Sequence, residues 1–129
     1  MKSNTSRKTV LAALIAVVGL WNAPALLAHH SSAGFSQDVK EISGTVKEFQ
    51  FRNPHSWIQV NVQDASGKVT EWSVEWGSPN QLGRQGIRPS TFAVGAAVTV
   101  RANPMRDGSA GGAFIGARFA DGTTVGRWD

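Results

Sequence analysis

Three histidines and a methionine carry most of this chain's ligand-holding chemistry: His29, His30, His55 and Met105. His55 stands in Arg52-Asn53-Pro54-His55-Ser56-Trp57, a polar interruption between two runs that read as β-strands. Met105 follows a second Asn-Pro pair, Asn103-Pro104, at the head of a loop that continues Arg106-Asp107-Gly108. In both loops a proline of fixed φ presents the next side chain from a rigid turn. His29 and His30 stand side by side just past an apolar segment. Were the chain cut before His29, the new α-amine and the first imidazole would chelate one ion, with His30 and His55 adding rings. Such a nitrogen-rich set favours Cu(II), which tops the divalent affinity order, while the Met105 thioether would favour Cu(I). Nickel or zinc would accept similar donors, so metal binding is a firmer expectation than copper. The amine titrates near ~7.7–8.0, so binding would weaken as pH falls.

A plainer reading stands beside this one. His55 would only close its turn through a hydrogen bond, with Trp57 packing beneath it, and Met105 would fill space as loop methionines commonly do. On either reading Asn53, Trp57, Asn103, Arg106 and Asp107 are the polar and aromatic residues these loops offer to a ligand.

Catalysis by protein groups finds little support. Glu71 and Glu75 point the same way on one strand, but four residues along a strand is about 13 Å. Paired-carboxylate glycosidases need about 5–9.5 Å. The chain has no cysteine, no Gly-x-Ser-x-Gly elbow and no His-Glu-x-x-His pair. Gly108 to Gly112 lacks the lysine and following helix of a phosphate-binding loop and reads as a mobile loop.

The histidine pair gains its context from what precedes it. Lys2, Arg7 and Lys8 are followed by an apolar run, Val10 to Leu20, and then by small residues at Ala23, Ala25 and Ala28. This is the pattern of a secretory signal peptide over residues 1–28, and the run falls short of the ~20 residues that span a bilayer. No cysteine follows to carry a lipid, so the mature form is expected without a membrane anchor. Arg7-Lys8 is not a twin-arginine pair, so the general secretory route and a periplasmic or secreted address are expected. Cleavage is expected after Ala28, or otherwise after Ala25, which fits the small-x-small rule better. Three of the 13 Lys and Arg fall in the leader, leaving 10 against 9 acidic residues. The mature chain is close to neutral, so nucleic acid is not an expected partner. An exported domain of ~100 residues without cysteine must rest on its hydrophobic core.

The elements that would position the loops follow from period-two alternation. After a flexible polar arm, residues 29–40, Ile42 to Val46 alternates, and the phase slips at Lys47-Glu48 before Phe49, which predicts a bulged, bent strand. Ile58, Val60 and Val62 form a second strand, Asp64 to Gly67 a hairpin turn, and Trp72, Val74 and Trp76 the apolar face of a third. Ser78-Pro79-Asn80-Gln81 is a capping box with proline at the first helical position, and Gly86 is a stop, so a short helix follows. Phe92 to Gly95 reads as a turn, Val98, Val100 and Ala102 as a fourth strand, and Asn103 to Gly112 as a loop. Ile115, Ala117 and Phe119 mark a fifth, and Asp121-Gly122 turns into a terminal ribbon, Thr123 to Val125. Five short strands over residues 41–129 with one helix between the third and fourth predict an all-β domain, an OB-fold-like five-stranded Greek-key β-barrel. An open β-sandwich is the alternative.

Four motifs in order complete the reading: Ala28-His29-His30-Ser31; Gly44-Thr45-Val46-Lys47-Glu48-Phe49 with Asn53-Pro54-His55-x-Trp57-Ile58; a Trp-rich strand into Gly77-Ser78-Pro79-Asn80; and Arg106-Asp107-Gly108-Ser109-x-Gly111-Gly112. Together they resemble DUF6152, a family of small exported bacterial proteins without an assigned activity, over about His29 to Val125. The resemblance implies the OB-like fold and the periplasmic address, and it favours cleavage just before the histidine pair. It implies no reaction. One departure stands out: a His-Pro is expected before the Arg-Asp-Gly loop, where this chain has Asn103-Pro104. Function is therefore expected to be binding: of copper or another transition metal through the histidines, or, without metal, of a periplasmic protein or small ligand.

Overall fold

The computed structural model describes residues 33–129. The expected signal peptide and the pair His29-His30 lie outside the described residues. The chain runs β1 (Lys40–Gln50), β2 (Trp57–Gln63), β3 (Val69–Glu75), α1 (Pro79–Arg84), β4 (Ala97–Pro104), β5 (Gly111–Phe119) and β6 (Thr124–Gly126). Strands pair in the order β3-β2-β1-β4-β5-β6, and a further parallel pairing of β3 with β5 closes the first five into a barrel. That is the predicted five-stranded OB-like architecture, with one helix between β3 and β4. Among the described residues no helix is long and apolar enough to cross a membrane.

Closure depends on β1 serving both halves of the barrel. Lys40 to Thr45 pairs with β4, and Thr45 to Gln50 pairs with β2. The strand must bend sharply between them, and two residues permit it. At Gly44 a Cβ would meet the Asn61 carbonyl oxygen at 2.2 Å, so only glycine lets β2 cross so closely. At Lys47 the register with β2 shifts between Val46 and Glu48, which is the bulge expected from the slipped alternation.

Local chemistry fixes the turns. Asp64 Oδ1 accepts hydrogen bonds from Ser66 N, Ser66 Oγ and Lys68 N, and the chain reverses at Gly67 with φ 89°. Helix α1 begins with the expected box: Gln81 N donates to Ser78 Oγ, and Ser78 N donates to Gln81 Oε1. It stops at Gly86, whose φ of 80° suits a residue without Cβ.

The barrel interior is filled by Ile42, Val46, Ile58, Val60, Val74, Val98, Val100, Ala102 and Ala117, all buried, with Trp72 and Trp76 packed against them. Phe92 is the largest fully buried side chain among the described residues. Its ring centroid lies 5.2 Å from those of Phe49 and Phe119 and 6.2 Å from those of Trp76 and Phe114, mostly in tilted or edge-on contacts. The sequence places Phe92 in a turn, and it does precede one, at Ala93 to Gly95. The turn drives the ring inward as a plug.

Two boundaries differ from the sequence reading. Strand β4 continues through Pro104, and β5 begins at Gly111, so the loop expected over Asn103 to Gly112 shrinks to Met105 to Ala110. Gly111 and Gly112 are buried strand residues, and not part of a mobile loop. A Cβ at Gly111 would meet Ser73 O at 2.9 Å, and one at Gly112 would meet Asn103 O at 2.6 Å. Their glycine composition imitates a loop, but it serves backbone approach at the seam. Ile115 is the second difference. The β4–β5 register slips so that Arg101 faces Gly116 while Ala102 faces Phe114, which leaves Ile115 unpaired. Phe114 takes the inward position, and Ile115 lines a cleft with Arg101 on the barrel's outside.

The polar segment before β1, expected to be flexible, is docked over its described part. Ser36 N donates to Pro104 O, Arg106 N to Gly34 O, and Phe35 bridges Met105. Arg106 Nε donates to Phe35 O at 2.7 Å, and Asn103 Nδ2 to Asp38 O at 2.8 Å. Gly34 to Asp38 is thus a strap along the β4–β5 turn.

Candidate functional site

The β1–β2 loop spans Phe51 to Ser56, and the registers on either side determine where its histidine stands. Trp57 pairs with Glu75 across the β2–β3 hairpin, and Ile58, its neighbour, points into the core. Trp57 and Glu75 therefore share the outer face, because side chains alternate along a strand. His55, two residues before Trp57, has the same parity. Its Nδ1 meets Glu75 Oε1 directly, with the imidazole side chain 44 % exposed and the carboxylate 19 %.

Ser56 clamps the loop from below. Its N–H donates to Gly77 O at 2.9 Å, and its carbonyl accepts from Trp76 N at 2.8 Å. This extends the β2–β3 ladder past the strand ends. The Ser56 side chain is buried, and its Oγ has no hydrogen-bond partner among the described residues. The Asn53–Pro54 bond is cis, and Asn53 is exposed. Trp57 is half-buried.

The second loop is engaged in structure. Asn103 and Arg106 hold the strap, as described above. Asp107 Oδ1 accepts from Ser109 N at 2.9 Å and Ser109 Oγ at 2.6 Å. The Ser109 hydroxyl and then its amide hold the Asp107 carboxyl below its ordinary range. Met105 is half-buried, and its Cε lies 3.9 Å from where a Cβ on Gly34 would sit.

Trp57 at the start of β2 faces Glu75, and Gly111 at the start of β5 faces Ser73, so both strands start near the C-terminal end of β3. The loops that precede them flank the outer face from two sides, the β1–β2 loop running on past that end and the β4–β5 loop turning back beside it. Strand spacing and rise put the backbones of His55 and Met105 roughly 15 Å or more apart. One ion does not take both side chains directly. Among the described residues no group of three or more His, Asp or Glu side chains is placed to hold a metal ion. His29 and His30 lie outside the described residues.

Glu75 is the neighbour of His55 that sequence reasoning passed over, having weighed it only as a partner of Glu71. The structure gives those two carboxylates separate partners: Glu71 pairs with Lys47, the bulge residue of β1, and Glu75 with His55. The hairpin register carries the signal: Gln63 faces Val69, which sets Trp57 opposite Glu75, and parity then brings His55 to the same side. Counting outward from Asp64–Gly67 alone would have set Trp57 opposite Val74.

Elsewhere on the barrel, a cleft of about 780 Å³ crosses the outer face of β4, between Gln37 of the strap and the adjoining Val39 on one side and Arg127 and Asp129 of the tail on the other. Arg101 on its floor donates to Glu41 Oε1 at 2.8 Å and to Asp129 O at 3.0 Å, so its charge is already matched.

The family model of DUF6152, a family of unknown function, matches residues 17–114, from the apolar N-terminal segment to the first half of β5. No curated protein and no solved structure matches the chain.

Proposed function

The chain belongs to the DUF6152 family of unknown function, and from that premise we propose that it is an exported, periplasmic binding module for a transition-metal ion. Copper is the first candidate, with His29, His30 and His55 as donors. The observation that carries this reading is the docked strap. Arg106 and Asn103 root Gly34 to Asp38 on the barrel. From Gly34 the chain reaches at most about 14 Å to His30 and about 18 Å to His29 at full extension. The strap therefore roots on the barrel the segment from which the histidine pair extends. His55 stands on the outer face of the barrel beside Glu75. Met105 lies beside the root of the strap and, too far from His55 to share its ion, suits only a separate Cu(I) ion.

Intact-mass measurement of the exported protein, followed by Cu(II) titration, tests the reading. A terminus at His29 is expected, with affinity at least about tenfold above that of His55→Ala or of a form extended by Leu26-Leu27-Ala28. Equal affinity in all three would remove the histidines from the function. In that event the metal-free reading leads, with the outward-facing, half-buried Trp57 and the buried Gln59 on the β1–β3 face as the contact for a protein or small ligand.

A further inference from the structure

We infer that Glu75 is a positioning residue which holds His55 as the tautomer protonated on Nδ1, so that Nε2 is the only nitrogen the ring offers to a ligand. The inference deepens the metal reading above and rests on it for what the ligand is. It does not rest on it for the tautomer. The argument begins at the contact between His55 Nδ1 and Glu75 Oε1. An ionised carboxylate can only accept hydrogen bonds. A bare Nδ1 lone pair facing it would be repelled, so Nδ1 carries the hydrogen. In neutral imidazole the other nitrogen then holds the lone pair, on the far edge of the ring from Glu75.

The two partners are unequally placed for this. Glu75 is the more enclosed, at 19 % exposure against 44 % for His55. It is held on β3 between Trp57 of β2 and Ala113 of β5, at the seam where the barrel closes. His55 is presented from a loop clamped at Ser56 by two backbone hydrogen bonds. The rigid member is thus the carboxylate and the oriented member is the ring. Metal-ligating histidines commonly have this arrangement, with a carboxylate on the ring nitrogen that does not bind, raising the basicity of the one that does. In this arrangement Glu75 stays outside the coordination sphere.

The test separates orientation from binding. Long-range ¹H–¹⁵N spectra of the metal-free protein, at about pH 8 where an ordinary imidazole is neutral, report which His55 nitrogen is protonated. The expected result is Nδ1–H in the wild type, retained in Glu75→Gln, whose amide oxygen still accepts, and lost in Glu75→Ala. An Nε2–H tautomer in the wild type would overturn the inference, as would an Nδ1–H tautomer that persists unchanged in Glu75→Ala. Where copper binds, Glu75→Ala should weaken it by about 10–100-fold and Glu75→Gln should recover most of that. Undiminished affinity in Glu75→Ala counts against the positioning role. Absence of copper binding with the Nδ1–H tautomer present rejects the metal reading alone and leaves the orientation of His55 established.

Discussion

Gly116 lies directly beneath the backbone of Arg127: a Cβ on Gly116 would meet the Arg127 carbonyl oxygen at 1.9 Å. The C-terminal segment crosses β5 there, with Arg127 N donating to Ile115 O at 3.0 Å. Beyond the crossing, the Trp128 ring centroid lies 4.4 Å from the Arg101 guanidinium and 5.0 Å from that of Arg118. Gly116→Ala should lift the segment and separate those stacks, at an overpacking cost of about 1–3 kcal/mol. Carboxypeptidase should then release Asp129 and Trp128 faster than from the wild type. Unchanged release would mean that the crossing does not hold the tail.

Phe92 gives the sharpest test of the core. Its ring touches aromatic residues from β1, β5 and the end of β3. Phe92→Ala should cost about 3–5 kcal/mol, since four surrounding rings cannot collapse into the space. The urea midpoint measures this. A loss below about 1 kcal/mol would show that the plug is dispensable.

Much of this was readable from the chain, and the exceptions share a cause. The bulge at Lys47, the capping box at Ser78 and the turns at Gly67 and Gly122 are local events, and the sequence displays them directly. Phe92, Gly111, Gly112 and Ile115 are misread by the same local reasoning because their roles are tertiary. Phe92 looks like part of a turn until the barrel mouth is present. Two adjacent glycines look like a loop until β3 and β4 approach them. Of the site, His55 and its loop were legible, but Glu75 needed the hairpin register. The docking of Gly34 to Asp38 had no periodic signal, since backbone carbonyls do most of the accepting.

Three aspartates make stability depend on acidity. The Ser66 hydroxyl lowers the Asp64 pKa, the Ser109 hydroxyl that of Asp107 and the Thr123 hydroxyl that of Asp121, each helped by backbone N–H groups. A folded-state pKa below the unfolded value means stability that is fully present above about pH 4 and lost as pH falls through the lowered values. All three carboxylates are in solvent, so each effect is small. The urea midpoint should fall between about pH 5 and pH 2, and the triple Asp→Asn variant should show a shallower fall. Identical slopes would place the acid sensitivity elsewhere.

Ser56 should tolerate the loss of its hydroxyl. Its buried Oγ makes no hydrogen bond to the described residues, while its backbone carries the clamp. Ser56→Ala should leave the fold intact and raise stability by up to about 1 kcal/mol, because an unmatched polar group is removed. A loss greater than about 1 kcal/mol would reveal a partner for that oxygen.

The parallel seam between β3 and β5 has a consequence for the newborn chain. It joins Ser73–Glu75 to Gly111–Ala113, two stretches translated well apart. At about 5–20 residues per second, a ribosome delivers the second roughly two to eight seconds after the first. During that interval β3 keeps a bare edge, even once β4 has joined β1, and such edges invite pairing with other chains. A nascent chain is therefore most exposed to wrong partners between the emergence of Glu75 and that of Ala113, and shielding is needed most in that window.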